Sequence, residues 1–248
     1  MIEPVPESGG AGRSLPPTSP FAGDDGAAPE ALALALAMGD PAKRLPAVVA
    51  VLAQVRVLVP VVAQLEERDE ASEQTRAPVA GEKSASAAMV TVAAPDGRAA
   101  IPVFSSMATL TRWRADARPI PVEGPRAALA AASDADGLLV LDPGGPVAIL
   151  LPRPAVWALA QQRPWIPAAQ DPEVAEAVQR AMRSLEGVAA VRVEPGERAE
   201  VRVVLGIAPG LAREHVSGIV SRAGQLLAAE EQVADRVDSL EFQVRPTG

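Results

Sequence analysis

Residues 89–106 read MVTVAAPDGRAAIPVFSS. Two apolar arms, Met89 to Ala93 and Ala99 to Phe104, flank Pro95-Asp96-Gly97-Arg98, and the Asp-Gly pair supplies the positive φ that a tight hairpin turn requires. The same stretch runs directly into a helix signal. Ser105-Ser106 can cap a helix through Arg114, whose Met107, Leu110 and Trp113 recur at three-residue intervals and share one face. Strand pairing and a helix start within one short span point to a mixed architecture rather than an all-α or all-β one.

Toward the C-terminus, a connector rich in proline (Pro119, Pro121, Pro125) leads to a helix over Arg126 to Ala132, ended by Asp134 and Gly137. A second hairpin follows. Leu138 to Leu141 and Pro146 to Leu151 surround Asp142-Pro143-Gly144-Gly145, with nearly continuous apolar arms of the kind covered on both faces. Pro154, Val156, Leu159 and Ala160 predict a helix to about Gln162. Residues 163–170, with Pro164, Trp165 and Pro167, mark the boundary between modules. Beyond it Asp171-Pro172-Glu173 places a cap, a first-turn proline and an acid where a helix N-terminus favours them. Val174, Val178, Ala181, Met182 and Leu185 lie on one helical stripe. Val188 to Val193 and Ala199 to Leu205 form a third hairpin, a helix runs from about Leu211 to Glu231, and Leu240 to Val244 alternates as a final strand. The order α-β-β-α-β predicts a second small α+β module over 171–248.

Toward the N-terminus, the Gly, Pro, Ser and Ala of residues 1–29 cannot bury enough apolar area to offset the entropy of ordering, so a disordered tail is expected there. Glu30 to Met38 predicts a helix, stopped by Gly39-Asp40-Pro41. Leu45 to Leu65 is long enough to cross a bilayer, but Pro46, Gln54, Arg56 and Pro60 interrupt it, and a central arginine costs about 2.5–3.5 kcal/mol on insertion scales. A helix over Leu45 to Ala53 followed by a buried strand over Val55 to Val62 accounts for the same letters without that cost. Charge, Pro78 and Gly81 make 66–87 a solvated, flexible loop.

The composition narrows function. Of 248 residues 48% are apolar and 22% charged, as in globular proteins. No Cys, no Tyr and the single His215 leave few of the side chains that metal sites, thiol nucleophiles and proton shuttles are built from, so neither a metal nor a cofactor is expected. A net charge of −8 repels phosphate backbones and anionic lipid, so neither nucleic acid nor membrane is expected as a partner. Met1 to Gly26 shows no basic n-region and no apolar core of a signal peptide, which leads to the expectation of a cytoplasmic protein.

The N-terminal module resembles the N-terminal domain of the enhanced-serine-sensitivity protein B (SseB) family, in its actinobacterial branch. The blocks that carry the resemblance are, in order, Val55-Arg56-Val57-Leu58-Val59-Pro60-Val61, Met89-Val90-Thr91-Val92 with Asp96-Gly97-Arg98, and Ile101-Pro102-Val103-Phe104-Ser105-Ser106. Leu110, Trp113, the proline-rich connector and Leu139-Val140-Leu141-Asp142-Pro143-Gly144-Gly145-Pro146 follow. The similarity spans roughly 30–167, and the part after Asp171 looks like the family's C-terminal module. It implies an intracellular bacterial protein of unresolved biochemical activity, with no catalytic residues to carry over.

The candidate chemistry is sparse. Ser105 or Ser106, His215 and Asp142 are the only trio from which an activated hydroxyl could be assembled, and no Gly-x-Ser-x-Gly elbow accompanies them. The residue range 98–126 is locally basic, with Arg98, Arg112, Arg114, Arg118 and Arg126 against Asp116 and Glu123. Arginine beside Trp113 suits a planar acidic ligand or an acidic partner segment. The expectation is therefore an α+β protein of two small mixed-sheet modules, 30–167 and 171–248, that has no catalytic activity and binds a protein or small ligand through Arg112, Trp113, Arg114 and Arg118. The alternatives are a hydrolase using Ser105 or Ser106 with His215, and an anion sensor using the 98–126 segment.

Overall fold

The computed structural model describes residues 20–63, 87–94 and 97–247. Within them lie helices α1 (Glu30–Leu36), α2 (Pro41–Leu52), α3 (Met107–Trp113), α4 (Gly124–Asp134), α5 (Arg153–Ala160), α6 (Pro172–Met182), α7 (Arg213–Ala228) and α8 (Glu231–Arg236). The strands are β1 (Arg56–Ala63), β2 (Ala87–Met89), β3 (Val92–Ala93), β4 (Ala99–Val103), β5 (Arg118–Glu123), β6 (Leu138–Leu141), β7 (Ile149–Leu151), β8 (Val188–Pro195), β9 (Val201–Ile207) and β10 (Leu240–Pro246). They form three sheets, ordered β2-β1-β5, β3-β4-β6-β7 and β10-β9-β8, so the class is α+β.

The first two sheets are tied together at one point. Leu58 and Phe104 each donate a backbone N–H to the other's carbonyl at 2.9 Å. One face of this joined surface is covered by α1, α2, α4 and α5, through Leu32, Val48, Leu52, Ala128, Ala131, Val156 and Leu159 against Val57, Ile101, Val103, Leu139 and Leu151. On the other face α3 lays Leu110 and Trp113 over Leu58, Val62 and Phe104. The C-terminal sheet has its own core, with Val174, Val178 and Met182 of α6 and Ile219, Ala223 and Leu227 of α7 packed on Val201, Val203 and Leu205. β10 runs parallel to β9, reached by the α7–α8 crossover, while β8 and β9 form an antiparallel hairpin.

Local chemistry explains the element ends. Asp40 accepts from the Ala42 N–H at 3.0 Å and Pro41 occupies the first turn, so this pair starts α2 instead of only stopping α1, and the helix begins four residues before Leu45. Leu45 to Leu65 thus divides into helix and strand, and among the described residues no helix is long and apolar enough to cross a membrane. Ser106 and Thr109 form a reciprocal capping box on α3. Asp171 caps α6 through the Glu173 N–H at 2.9 Å.

Three expectations need amendment. The arm Met89 to Ala93 is not one strand: β2 pairs with β1 and β3 with β4, because the chain changes partners at Val90-Thr91. The turn itself closes through Gly97, at φ +87°, whose N–H donates to the Ala94 carbonyl at 2.8 Å, whereas Pro95 and Asp96 lie outside the described residues. The proline-rich connector is strand β5, antiparallel to β1. The helix read from Leu211 to Glu231 stops at Ala228, and α8 starts anew after Glu230.

The expected tail also requires division. Residues 1–19 lie outside the described residues, as does the expected loop 66–87 except for its last residue, which opens β2. Residues 20–29, by contrast, are tied to the fold by Arg56. Its guanidinium pairs with Asp24 and donates to the carbonyls of Ala27 at 2.5 Å and Ser105 at 2.6 Å. The Met107 N–H donates to the Gly26 carbonyl at 2.8 Å. The hydrogen bonds from Arg56 hold the Asp24 carboxyl down at about 2.

Candidate functional site

The residues singled out in the sequence separate into several places. Ser105 lies at the end of β4, where its hydroxyl donates to Asp142 at 2.6 Å and its N–H to the other carboxylate oxygen at 2.8 Å. Both are buried, so this pair ties the β4–α3 corner to the turn after β6. Ser106 is the cap of α3. His215 is on α7, in a shallow hollow with Glu186, Glu214 and Arg222. Among the described residues no hydrogen bond joins it to either serine, and no group of three or more His, Asp or Glu is placed to hold a metal ion.

The basic segment is likewise dispersed. Trp113 is half-buried, with its ring centroid 5.2 Å from that of Phe104. Arg114 pairs with Asp116 at 3.1 Å on the surface, and Arg112, Arg118 and Arg126 are exposed. Arg98 reaches the C-terminal part of the chain, where it grips Asp238 with both terminal nitrogens at 2.8 and 2.6 Å.

A cavity of about 610 Å³ opens elsewhere, between α5 with its following segment and α8. That volume falls in the range of small-molecule sites. One wall comes from residues 153–166: Arg153, Pro154, Trp157, Ala158, Gln161, Arg163, Pro164, Trp165 and Ile166. The facing wall is Asp171, Ala234, Asp235 and Arg236. The local sequence makes this wall aromatic. Pro152 is the cap residue and Pro154 sits in the first turn of α5, which buries Ala155, Val156 and Leu159 in the core and turns Trp157 outward, at 50% exposure. α5 ends at Ala160 with Gln161 as its C-cap, Gln162 follows in the left-handed region at φ 55°, and the chain then turns so that Trp165 and Ile166 return to the same cleft.

The charges of the cleft are unevenly engaged. Arg236 is held by Asp171 at 2.8 Å and Glu173 at 2.5 Å. Arg153 donates once, to the Ala234 carbonyl at 3.2 Å, and so bridges the two walls. The side chains of Arg163 and Asp235 have no ion pair or hydrogen bond among the described residues. Behind the cleft lies a further charged group: Glu200 Oε2 accepts from the Asp238 N–H at 2.7 Å, whereas its Oε1 is buried without a hydrogen-bond partner. Burial pushes this carboxyl up to about 7, against the pull of the Asp238 amide and with a further push from the Asp238 charge, while the Ala168 amide and then the Arg153 charge draw it back.

This cleft was not singled out in the sequence. The signal was present in RPAVWALAQQRPW, residues 153–165, where two of the chain's three tryptophans and two arginines cluster at the boundary between modules. The second wall, contributed from residues 171 and 234–236, had no local signature.

The family model described as SseB protein N-terminal domain matches residues 29–158, just over half of the chain. No curated protein and no solved structure matches. The match ends inside α5, after Arg153 and Trp157 and before Arg163, Trp165 and α8, so the cleft straddles its boundary.

Proposed function

The chain belongs to the SseB family, and from that premise we propose that it is a non-catalytic binding protein of the bacterial cytoplasm whose ligand occupies the cleft between α5 and α8. In this reading residues 30–167 and 171–248 are two domains, and their junction is the binding site. The observation that carries it is the convergence of Trp157 and Trp165 with three arginines on one concavity built from both parts of the chain. Aromatic walls with a few fixed polar groups are the usual composition of a small-molecule site. The segment around Trp113 supports binding less well, because Trp113 packs on Phe104, Arg98 engages Asp238 and Arg114 engages Asp116. A hydrolytic reading has little support, since the Ser105 hydroxyl is buried against Asp142 and His215 occupies a different surface.

The test is thermal unfolding of the full chain against a collection of small molecules that includes anions, cations and neutral compounds, repeated on Gln161→Trp, which obstructs the cleft from an exposed position. A ligand at 100 times its Kd stabilises the folded state by about 2.7 kcal/mol. Stabilisation of the wild type that is lost in Gln161→Trp is the expected result. A collection that shifts neither protein, or shifts both equally, overturns the reading.

A further inference from the structure

The charge and shape of the cleft specify a ligand class, an inference that rests on the binding role proposed above. Arg236 is paired with both Asp171 and Glu173, which leaves Arg153, with one hydrogen bond, and Arg163, with none among the described residues, as the guanidinium groups on the lining that no carboxylate holds. Asp235 is the one unengaged acid on the lining. Counted with Glu173, the three arginines and three acids of the cleft balance, so it is the two guanidiniums without a carboxylate partner, and not net charge, that offer an anion its donors. Guanidinium in its planar fork matches a carboxylate through two parallel N–H···O bonds.

The remaining lining describes the rest of the molecule. Trp157 and Ile166 are among the most exposed large apolar side chains of the described residues, at 50% and 56%, and both belong to this cleft together with Trp165, Pro154 and Pro164. Exposed apolar side chains gathered on one polar-rimmed concavity mark an interaction site. An inorganic anion would leave these side chains in water, whereas a flat aromatic body would cover them and add offset or edge-to-face ring contacts. We propose that the cleft binds a small planar aromatic carboxylate, its carboxylate held by Arg163 with help from Arg153 and its ring lying against Trp157 and Trp165. The N-terminal wall then supplies the anchor for both charge and ring, and α8 closes the far side.

The experiment is calorimetric titration of the full chain with 2-naphthoate, 2-naphthamide and inorganic phosphate, on the wild type and on Arg163→Gln, Trp157→Ala and Gln161→Trp. Arg163 and Trp157 are both exposed, so these variants are expected to unfold at temperatures close to the wild type, which is measured alongside. The expected result is saturable binding of naphthoate, at least tenfold weaker binding of the amide and of phosphate, and at least tenfold loss for naphthoate in each of Arg163→Gln and Trp157→Ala. Equal binding of the amide, equal binding of phosphate, no effect of Arg163→Gln or no binding of naphthoate overturns the ligand class. Failure of the class and failure of the cleft are separable. A neutral or cationic compound that stabilises the wild type and not Gln161→Trp sinks only the carboxylate, whereas naphthoate binding undiminished in Gln161→Trp sinks the cleft itself.

Discussion

Ser105 and Asp142 illustrate how a polar pair can be structural at the scale of one residue. Asp142 adopts φ 51°, a left-handed conformation that Asp tolerates better than most residues, and this places its carboxylate to receive both the N–H and the hydroxyl of Ser105 inside the protein. Removing one partner of a buried hydrogen bond exposes the other to the full cost of its desolvation, about 1–3 kcal/mol. Ser105→Ala is therefore expected to lower stability by that amount in urea unfolding, with naphthoate binding unchanged. A stability equal to the wild type would remove the structural reading of the pair. Gly124 is a second fixed residue. A Cβ there would lie 1.9 Å from the Leu52 carbonyl oxygen, and the Gly124 N–H donates to the Val55 carbonyl at 3.0 Å, so the start of α4 is pressed on the end of α2. Gly124→Ala forces the helices apart and is expected to cost at least about 1–3 kcal/mol in the same measurement, the range for overpacking a close contact.

At the scale of elements, strand β5 shows which parts of the fold were legible and which were not. Prolines at 119 and 121 argue against a strand when each is weighed alone, since proline removes a ladder donor. Their spacing of two places both at the same side of an edge strand. Leu58 directs its N–H and carbonyl to Phe104, away from β5, so the residues of β1 that carry the ladder to β5 are Val57, Val59 and Val61. They face Val122, Ile120 and Arg118, while Pro119 and Pro121 face Pro60 and Leu58, where no donor is needed. Ile120→Pro, shifting the proline by one position, is expected to cost at least about 1 kcal/mol in urea unfolding, whereas Pro119→Ala is expected to be close to neutral. Equal effects of the two would refute the alternation. A similar compensation occurs at Pro46 inside α2, which leaves the Ala42 carbonyl without its helical donor. The side-chain amide of Gln170 donates to that carbonyl at 3.4 Å. Hairpin turns, caps and amphipathic stripes were readable because each depends on neighbours within a few residues. Partner exchange at Val90-Thr91, the proline register and the second wall of the cleft depend on strands and helices far away in sequence, and no local pattern encodes them.

At the scale of the whole molecule, the two parts of the chain meet through charge as well as through the cleft. Arg98 and Arg153 come from the N-terminal part and Asp238 and Glu200 from the C-terminal part. Arg98 binds Asp238, whose side chain is 2% exposed; the Asp238 N–H binds Glu200; and the Arg153 charge acts on Glu200 while its guanidinium donates to the Ala234 carbonyl. Glu200 is the member that titrates near neutrality, because burial raises it from 4.5 to about 7. The folded state therefore holds a proton between those values that the unfolded chain has released, and stability falls as pH rises from about 4.5 to about 7, then levels off. A shift of this size corresponds to at most about 3 kcal/mol. Asp24 acts with the opposite sign and in a separate window: Arg56 lowers it from 3.8 to about 2, so its contribution is intact above 3.8 and is lost as acid protonates it. Glu200→Gln keeps the shape of the side chain and removes the titration. It is expected to match the wild type near pH 4.5 and to exceed it by up to about 3 kcal/mol at pH 8, measured by urea unfolding at both values. Parallel stability profiles for the two proteins across that interval would show that Glu200 ionises in the folded chain as it does in water, and that the junction between the two parts carries no buried proton.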